Sequence, residues 1–246
     1  MGVAVEIAVQ DATGVRVALA EGADRVELCT ALGLGGLTPS AALVAAAVEQ
    51  ATRDERPGFV HVLVRPRGGG FVYDAAEVAL TVADIRFARA TGAAGVVVGA
   101  LDESATVDGE AMRRFVDAAE GLPVTFHRAF DIIGDQATAL EELIALGVHR
   151  VLTSGGASRT IDGVATLRAL AQRAGGRIQL MAGGGVRVDD IPTIASTGVD
   201  AVHLSARDSV VGGPSGPGGG EARYDITDAA TVAEAVAVAR LARLVR

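Results

Sequence analysis

The chain has 246 residues, a formal net charge of −8, and a composition that is half hydrophobic but only 3% aromatic. That length fits one α/β barrel of roughly 250 residues, with a core of Val, Leu, Ile and Ala suited to a parallel sheet covered on both faces. The acidic balance without a basic run argues against nucleic-acid binding, and no apolar stretch reaches the roughly 18 residues of a membrane span.

In chain order, short β-branched runs alternate with Ala-rich segments at helical spacing. Residues 3–8 read as the first strand. They carry Glu6 and lack the charged and long apolar regions of a signal peptide. Further strands are predicted over 25–29, 59–65, 95–99, 124–128, 150–153, 178–181 and 201–205. The helices between and after them fall over 13–21, 40–52, 75–91, 110–119, 136–145, 161–174, 188–196 and 229–244. Gly22-Ala23, Gly92-Ala93, Gly147-Val148 and Gly198-Val199 mark repeated helix-to-strand joints, where Gly closes a helix in a left-handed cap. This βα alternation predicts a parallel sheet with crossover helices. The even count favours a closed (β/α)8 TIM barrel, one domain over 1–246, above an open doubly wound sheet. Two segments break the rhythm. Residues 67–71, Arg-Gly-Gly-Gly-Phe, predict a long mobile loop. The Gly/Pro-rich stretch near 212–220 cannot bury apolar area and predicts an exposed spacer.

Barrel strands alternate between lumen and helix layer, so polar residues at period two face inward. That reasoning turns Glu6, Glu27, Cys29, His61, Leu63, Arg65, Thr125, His127, Gln179, Met181, His203 and Ser205 into the lumen. Buried charges cost several kcal/mol each unless paired. A purely structural barrel fills this space with branched apolar side chains instead. The bland alternative is a self-satisfied network, such as Glu6 or Glu27 paired with Arg65. Cys29, Arg65, His127, Met181 and Ser205 are assigned to C-terminal strand ends, where this fold carries its sites. Glu6 and His61 lie deeper, and His149 reads as a surface or capping residue. The absence of Lys removes Schiff-base aldolase and pyridoxal phosphate chemistry, because both need an amine nucleophile. No organic cofactor is indicated. The Gly183–185 turn, including Gly184 and Gly185, and Ser205 with Arg207 suit anion binding by backbone N–H groups.

Several segments carry a family resemblance. They are Arg25-Val26-Glu27-Leu28-Cys29, Gly35-Gly36-Leu37-Thr38-Pro39 and Val64-Arg65-Pro66-Arg67-Gly68-Gly69 with Phe71-Val72-Tyr73 beyond. Val124-Thr125-Phe126-His127-Arg128-Ala129-Phe130-Asp131, Arg150-Val151-Leu152-Thr153-Ser154-Gly155 and Met181-Ala182-Gly183-Gly184-Gly185-Val186 complete the set. In this order and spacing they resemble the CutC family over nearly the whole chain. The resemblance implies a barrel fold, a cytoplasmic location, self-association and a part in copper homeostasis. Copper binding in such proteins leans on cysteine, and Cys29 stands in the matching Glu-Leu-Cys segment with no second Cys in the chain. A Cu(I) site would draw on soft ligands, here Cys29, Met181, His203 and His127.

Two readings stay open. One is a copper-binding protein. The other is an enzyme acting on a small anionic, phosphorylated or carboxylated, metabolite. In that reading Arg65, Arg67 and Arg128 grip the anion, with Gly184, Gly185 and Ser205 opposite, and Glu27 or His127 acts as general acid or base. A non-catalytic scaffold is the third possibility.

Overall fold

The computed structural model describes residues 3–213, 216 and 222–242. Eight parallel strands close into a barrel in simple chain order: β1 Ala4–Val9, β2 Arg25–Leu28, β3 Val60–Leu63, β4 Gly95–Val98, β5 Val124–Phe126, β6 Arg150–Thr153, β7 Gln179–Gly183 and β8 Ala201–Leu204. Helices α1 Ala12–Ala20, α2 Ala41–Arg53, α3 Ala75–Thr91, α4 Gly109–Ala119, α5 Gln136–Ala145, α6 Val164–Ala174, α7 Ile191–Ala195 and α8 Ala229–Leu241 cover it. Asp11, Ser40, Asp74, Asp108, Asp135 and Asp228 each cap a helix by accepting a first-turn N–H. These residues set where α1 to α5 and α8 begin. The predicted helix over 188–196 is a 3-10 turn, Val188–Asp190, leading into the short α7, and residues 243 and 244 lie outside the described residues.

The in-and-out alternation follows from burial. Val5, Ile7, Val26, Leu28, Val60, Val62, Val96, Val98, Phe126, Val151, Leu180 and Val202 all join the single large cluster shared with the helices. The intervening apolar positions form two small lumen clusters, Cys29 with Leu63 and Val97, and Leu152 with Met181 and Ala201. The strand register places Glu6 beside Arg25 and His203, Glu27 beside His61, and Arg150 between Thr125 and Gln179.

Two expectations need correction. The loop after β3 is not free. Arg65 donates to Gly69 O at 2.7 Å, Arg67 donates to Gly70 O and Val72 O, and Leu101 N donates to Phe71 O. Arginine side chains supply the donors that a Gly-rich loop cannot find in a ladder. After β8, Arg207–Val211 (β9) and Arg223–Thr227 (β10) form an antiparallel ribbon where no strand is predicted. The ribbon is tied by an Arg207–Asp225 ion pair, and Gln10 donates to Asp225 O. Most of the Gly/Pro-rich span that links the two strands lies outside the described residues.

Candidate active site

The C-terminal mouth of the barrel holds a cavity of about 230 Å³. Its walls include Glu27, Arg65, His127, Arg128, Gly184, Gly185, His203 and Ser205, together with Leu32, Phe71 and Leu152. Three other predicted site residues do not line it. Arg67 lies past the end of β3, pairs with Glu77 and stacks over the Tyr73 ring at 5.2 Å. Cys29 is buried beside Leu63 and Val97, its thiol 3.5 Å from Val9 O. Met181 sits in mid-strand, because β7 runs on to Gly183, and its sulfur accepts from Arg25 at 3.2 Å.

Below the pocket floor, Glu6 is fully buried and doubly held. One oxygen accepts from Arg25 Nε at 2.5 Å and the other faces His203 Nδ1 at 2.8 Å. The far nitrogen of His203 lies 4.0 Å from a Glu27 carboxylate oxygen. Glu6 thus pairs with Arg25, not with Arg65, and the reason is register: the two are direct neighbours across β1 and β2. Burial opposes ionisation of Glu6, but Arg25 and then His203 hold its carboxyl well below the usual range. Burial raises Glu27 to about 7, with His203 pulling it partly back and Glu6 pushing it further up. Burial alone would lower His203, yet Glu27 and Glu6 outweigh it and raise it. Glu6 therefore remains a carboxylate, while Glu27 and His203 are both shifted upward and titrate as an interacting pair.

The same pocket carries two cations, Arg65 and Arg128. Arg65 is buried, and its guanidinium donates to the carbonyls of Leu34, Gly36 and Gly69 at 3.1, 3.1 and 2.7 Å. No carboxylate pairs with it among the described residues. Its guanidinium also stands 4.9 Å from the Phe71 ring centroid. The His127 ring also packs on Phe71, at 4.8 Å between ring centroids. His127 Nδ1 accepts from Ala129 N at 3.2 Å, which assigns the ring proton to Nε2. That Nε2 is buried without a hydrogen-bond partner among the described residues. Burial, and then Arg65, lower His127 to about 3, so the imidazole is neutral throughout the working range. Arg128 is half spoken for: it donates to Asp131 at 2.8 Å and to Ser154 Oγ at 3.3 Å.

Two glycines make room for these groups. A Cβ at Gly99, at the end of β4, would overlap the His127 ring. Gly184 has φ +122° and lies under the Arg128 guanidinium, where a Cβ would come within 2.8 Å of Cζ. Gly99→Ala should therefore displace His127 and destabilise the fold by an amount on the order of 1 kcal/mol. Urea denaturation and the His127 ring NMR signals test this; unchanged signals would contradict it.

Sequence reasoning missed Arg25, whose parity with Glu27 was the available signal, and the contact of Phe71 with both Arg65 and His127. It also missed Arg150, which is buried in the lumen and bonded to Gln179 and Thr125.

The residues offer a poor Cu(I) site. The soft donors are divided among different surroundings, and burial followed by the nearby Glu27 charge pushes the Cys29 thiol far up, against the thiolate. Glu6, Glu27 and His203 do bring ligand atoms within 4.8 Å of one another. That set is mostly hard, and Arg25 already occupies Glu6.

The fold and site define an eight-stranded α/β barrel with a pocket at the C-terminal rim that charged side chains share with apolar ones. The chain belongs to the CutC family, whose model matches residues 3–208. Family proteins CutC are similar to it: that of Pasteurella multocida is 40% identical over 204 residues, 82% of each chain, and that of Bacteroides thetaiotaomicron 46% over 194 residues, 78% of this chain and 76% of the relative. A solved CutC from Streptococcus agalactiae, provisionally described as a copper homeostasis protein, superposes with a TM-score of 0.76 at 33% identity, covering 82% of this chain and 98% of that one. Among the described residues no helix is long and apolar enough to cross a membrane.

Proposed function

We propose that this CutC-family barrel binds a small anionic metabolite and moves a proton on it, with Arg65 and Arg128 holding the anion and Glu27 acting as acid and base. The observation that carries this reading is Arg65. It is a buried cation with no carboxylate partner among the described residues, in the same pocket as Glu27. A buried charge without a counter-charge is costly, and a bound anion would supply one. Arg also suits bidentate contact with phosphate or carboxylate. Glu27, raised to about 7, is matched to proton transfer at neutral pH. A cytoplasmic setting agrees with one reduced, buried thiol.

Thermal shift with inorganic phosphate and malonate tests the anion. At a concentration of 100 Kd a bound ligand stabilises by about 2.7 kcal/mol, a rise of roughly 5–10 °C for a chain of this size. Arg128→Ala should reduce the rise and Arg65→Lys should largely remove it. If no anion raises Tm in the wild type, the reading fails.

The copper reading is favoured by the description of the Streptococcus agalactiae relative. The donor geometry weighs against a tight site within one chain. Competition titration with Cu(I) should give weak binding, which Cys29→Ser should abolish, and the buried thiol gives no route to a site shared between chains. Tight one-per-chain binding that survives this substitution would contradict the ligand argument.

A further inference from the structure

We infer that the proton moved is one on carbon next to a carbonyl, with Glu27 taking the C–H proton while His127 Nε2–H donates to the carbonyl oxygen. This rests on the anion reading above and names its substrate class: a small aldehyde, ketone or keto acid that also carries a phosphate or carboxylate.

The His127 ring is neutral, its proton is on Nε2, and that N–H is buried at the pocket wall with no acceptor among the described residues. Buried donors are normally satisfied, so this one points to an acceptor brought by a ligand. A neutral imidazole donor suits an oxygen that is uncharged in the ground state and becomes negative in the transition state. Arg65, close enough to depress His127, adds positive potential where that charge would develop. The Glu27 carboxylate accepts no hydrogen bond among the described residues, so its lone pairs are open to the pocket. Burial raises its carboxyl, with His203 and Glu6 behind it adjusting the shift.

The chain has no Lys, so an iminium electron sink formed on a lysine is absent and the carbonyl must be activated by hydrogen bonds. Attack by a nucleophile of the protein fits less well. Cys29 is buried outside the pocket wall as a thiol, and Ser205 has no hydrogen-bonded base among the described residues. The step balances without an outside oxidant. The C–H bond breaks and its proton goes to a Glu27 oxygen. The electron pair forms C=C as the carbonyl π pair moves to oxygen, giving an enolate held by His127 Nε2–H. Return of the proton to the opposite face or to a neighbouring atom gives an epimer or an isomer.

Two linked measurements test this. The first compares affinities, by calorimetry, for inorganic phosphate, 2-phosphoglycolate and phosphoglycolohydroxamate, the last an enolate mimic. The second follows by NMR the exchange of C–H for C–D in dihydroxyacetone phosphate, glyceraldehyde 3-phosphate and pyruvate in D2O. The hydroxamate is expected to bind about a hundredfold tighter than 2-phosphoglycolate. His127→Phe should remove that preference while leaving phosphate binding in place. Wild type should catalyse exchange and Glu27→Gln, which keeps the shape of the site, should not. If phosphate binds but the hydroxamate gains nothing and no exchange occurs, this inference is overturned and the anion reading stands. If phosphate and 2-phosphoglycolate both fail to bind, the anion reading itself falls, and this one with it.

Discussion

Replacing Glu6 with Gln is expected to lower folding stability by about 3–5 kcal/mol, the usual loss when one partner of a buried ion pair is removed. The carboxylate is fully buried and sits between Arg25 at 2.5 Å and His203 at 2.8 Å. Its loss removes the counter-charge of Arg25 and leaves that cation only neutral acceptors among the described residues, the introduced amide oxygen and the Met181 sulfur. For a chain of this length the change corresponds to a fall in Tm of roughly 6–20 °C. The pH dependence has a definite sign. The folded Glu6 carboxyl is held below its unfolded value. Its stabilisation is therefore complete above an unfolded pKa of about 4.3 and is lost as pH falls toward the folded value. The gap between wild type and Glu6→Gln should be full at pH 7 and narrow below about pH 4. Urea denaturation at both ends of that range measures it. A difference under 1 kcal/mol at pH 7 would mean that the lumen relaxes or hydrates around Arg25.

Acidification should unfold the protein by way of two histidines. His61 and His127 are buried and neutral, with burial the largest cause, and titrate at about 4 and about 3. Their unfolded value is about 6.5, so between pH 6.5 and 4.5 the unfolded chain takes up protons that the folded chain refuses. Each histidine then removes about 2–3 kcal/mol of stability by pH 4.5. Glu27 works in the opposite direction. Its folded value of about 7 lies above the unfolded one, so the native state gains stability as pH falls from 7 toward 4.5. Stability curves should therefore separate. His127→Phe should lose less stability than wild type between pH 7 and 4.5, and Glu27→Gln should lose more. Parallel curves for all three proteins would show that neither group carries the perturbation assigned to it.

The lumen was legible because one face of every strand is packed against helices. Val5, Ile7, Val26, Leu28, Val60 and Val62 fix the parity of Glu6, Glu27, His61 and Arg65 with no knowledge of the partner strands. Parity fails where a strand ends. Arg67 lies two residues past Arg65 and would face the same way in a continuing strand, but the chain turns and its guanidinium goes to Glu77. Met181 was misplaced in height because β7 continues to Gly183. The partner of Glu6 depends on which residues meet across β1 and β2, a register that local alternation does not specify. The ribbon of β9 and β10 pairs residues across a Gly-rich span, and its short, mostly exposed strands have no buried face to impose a pattern.

Glu27 is expected to change protonation near neutrality in a pocket that also holds the Arg65 and Arg128 cations. Carboxyl ¹³C NMR of the protein labelled at glutamate, with the Glu27 resonance assigned by its absence in Glu27→Gln, tests it directly. The expected result is a midpoint near 7, moving upward when inorganic phosphate fills the pocket, because a second negative charge disfavours the carboxylate. A midpoint near the ordinary value of about 4.3, unmoved by phosphate, would contradict both the acid–base role of Glu27 and the anion site beside it.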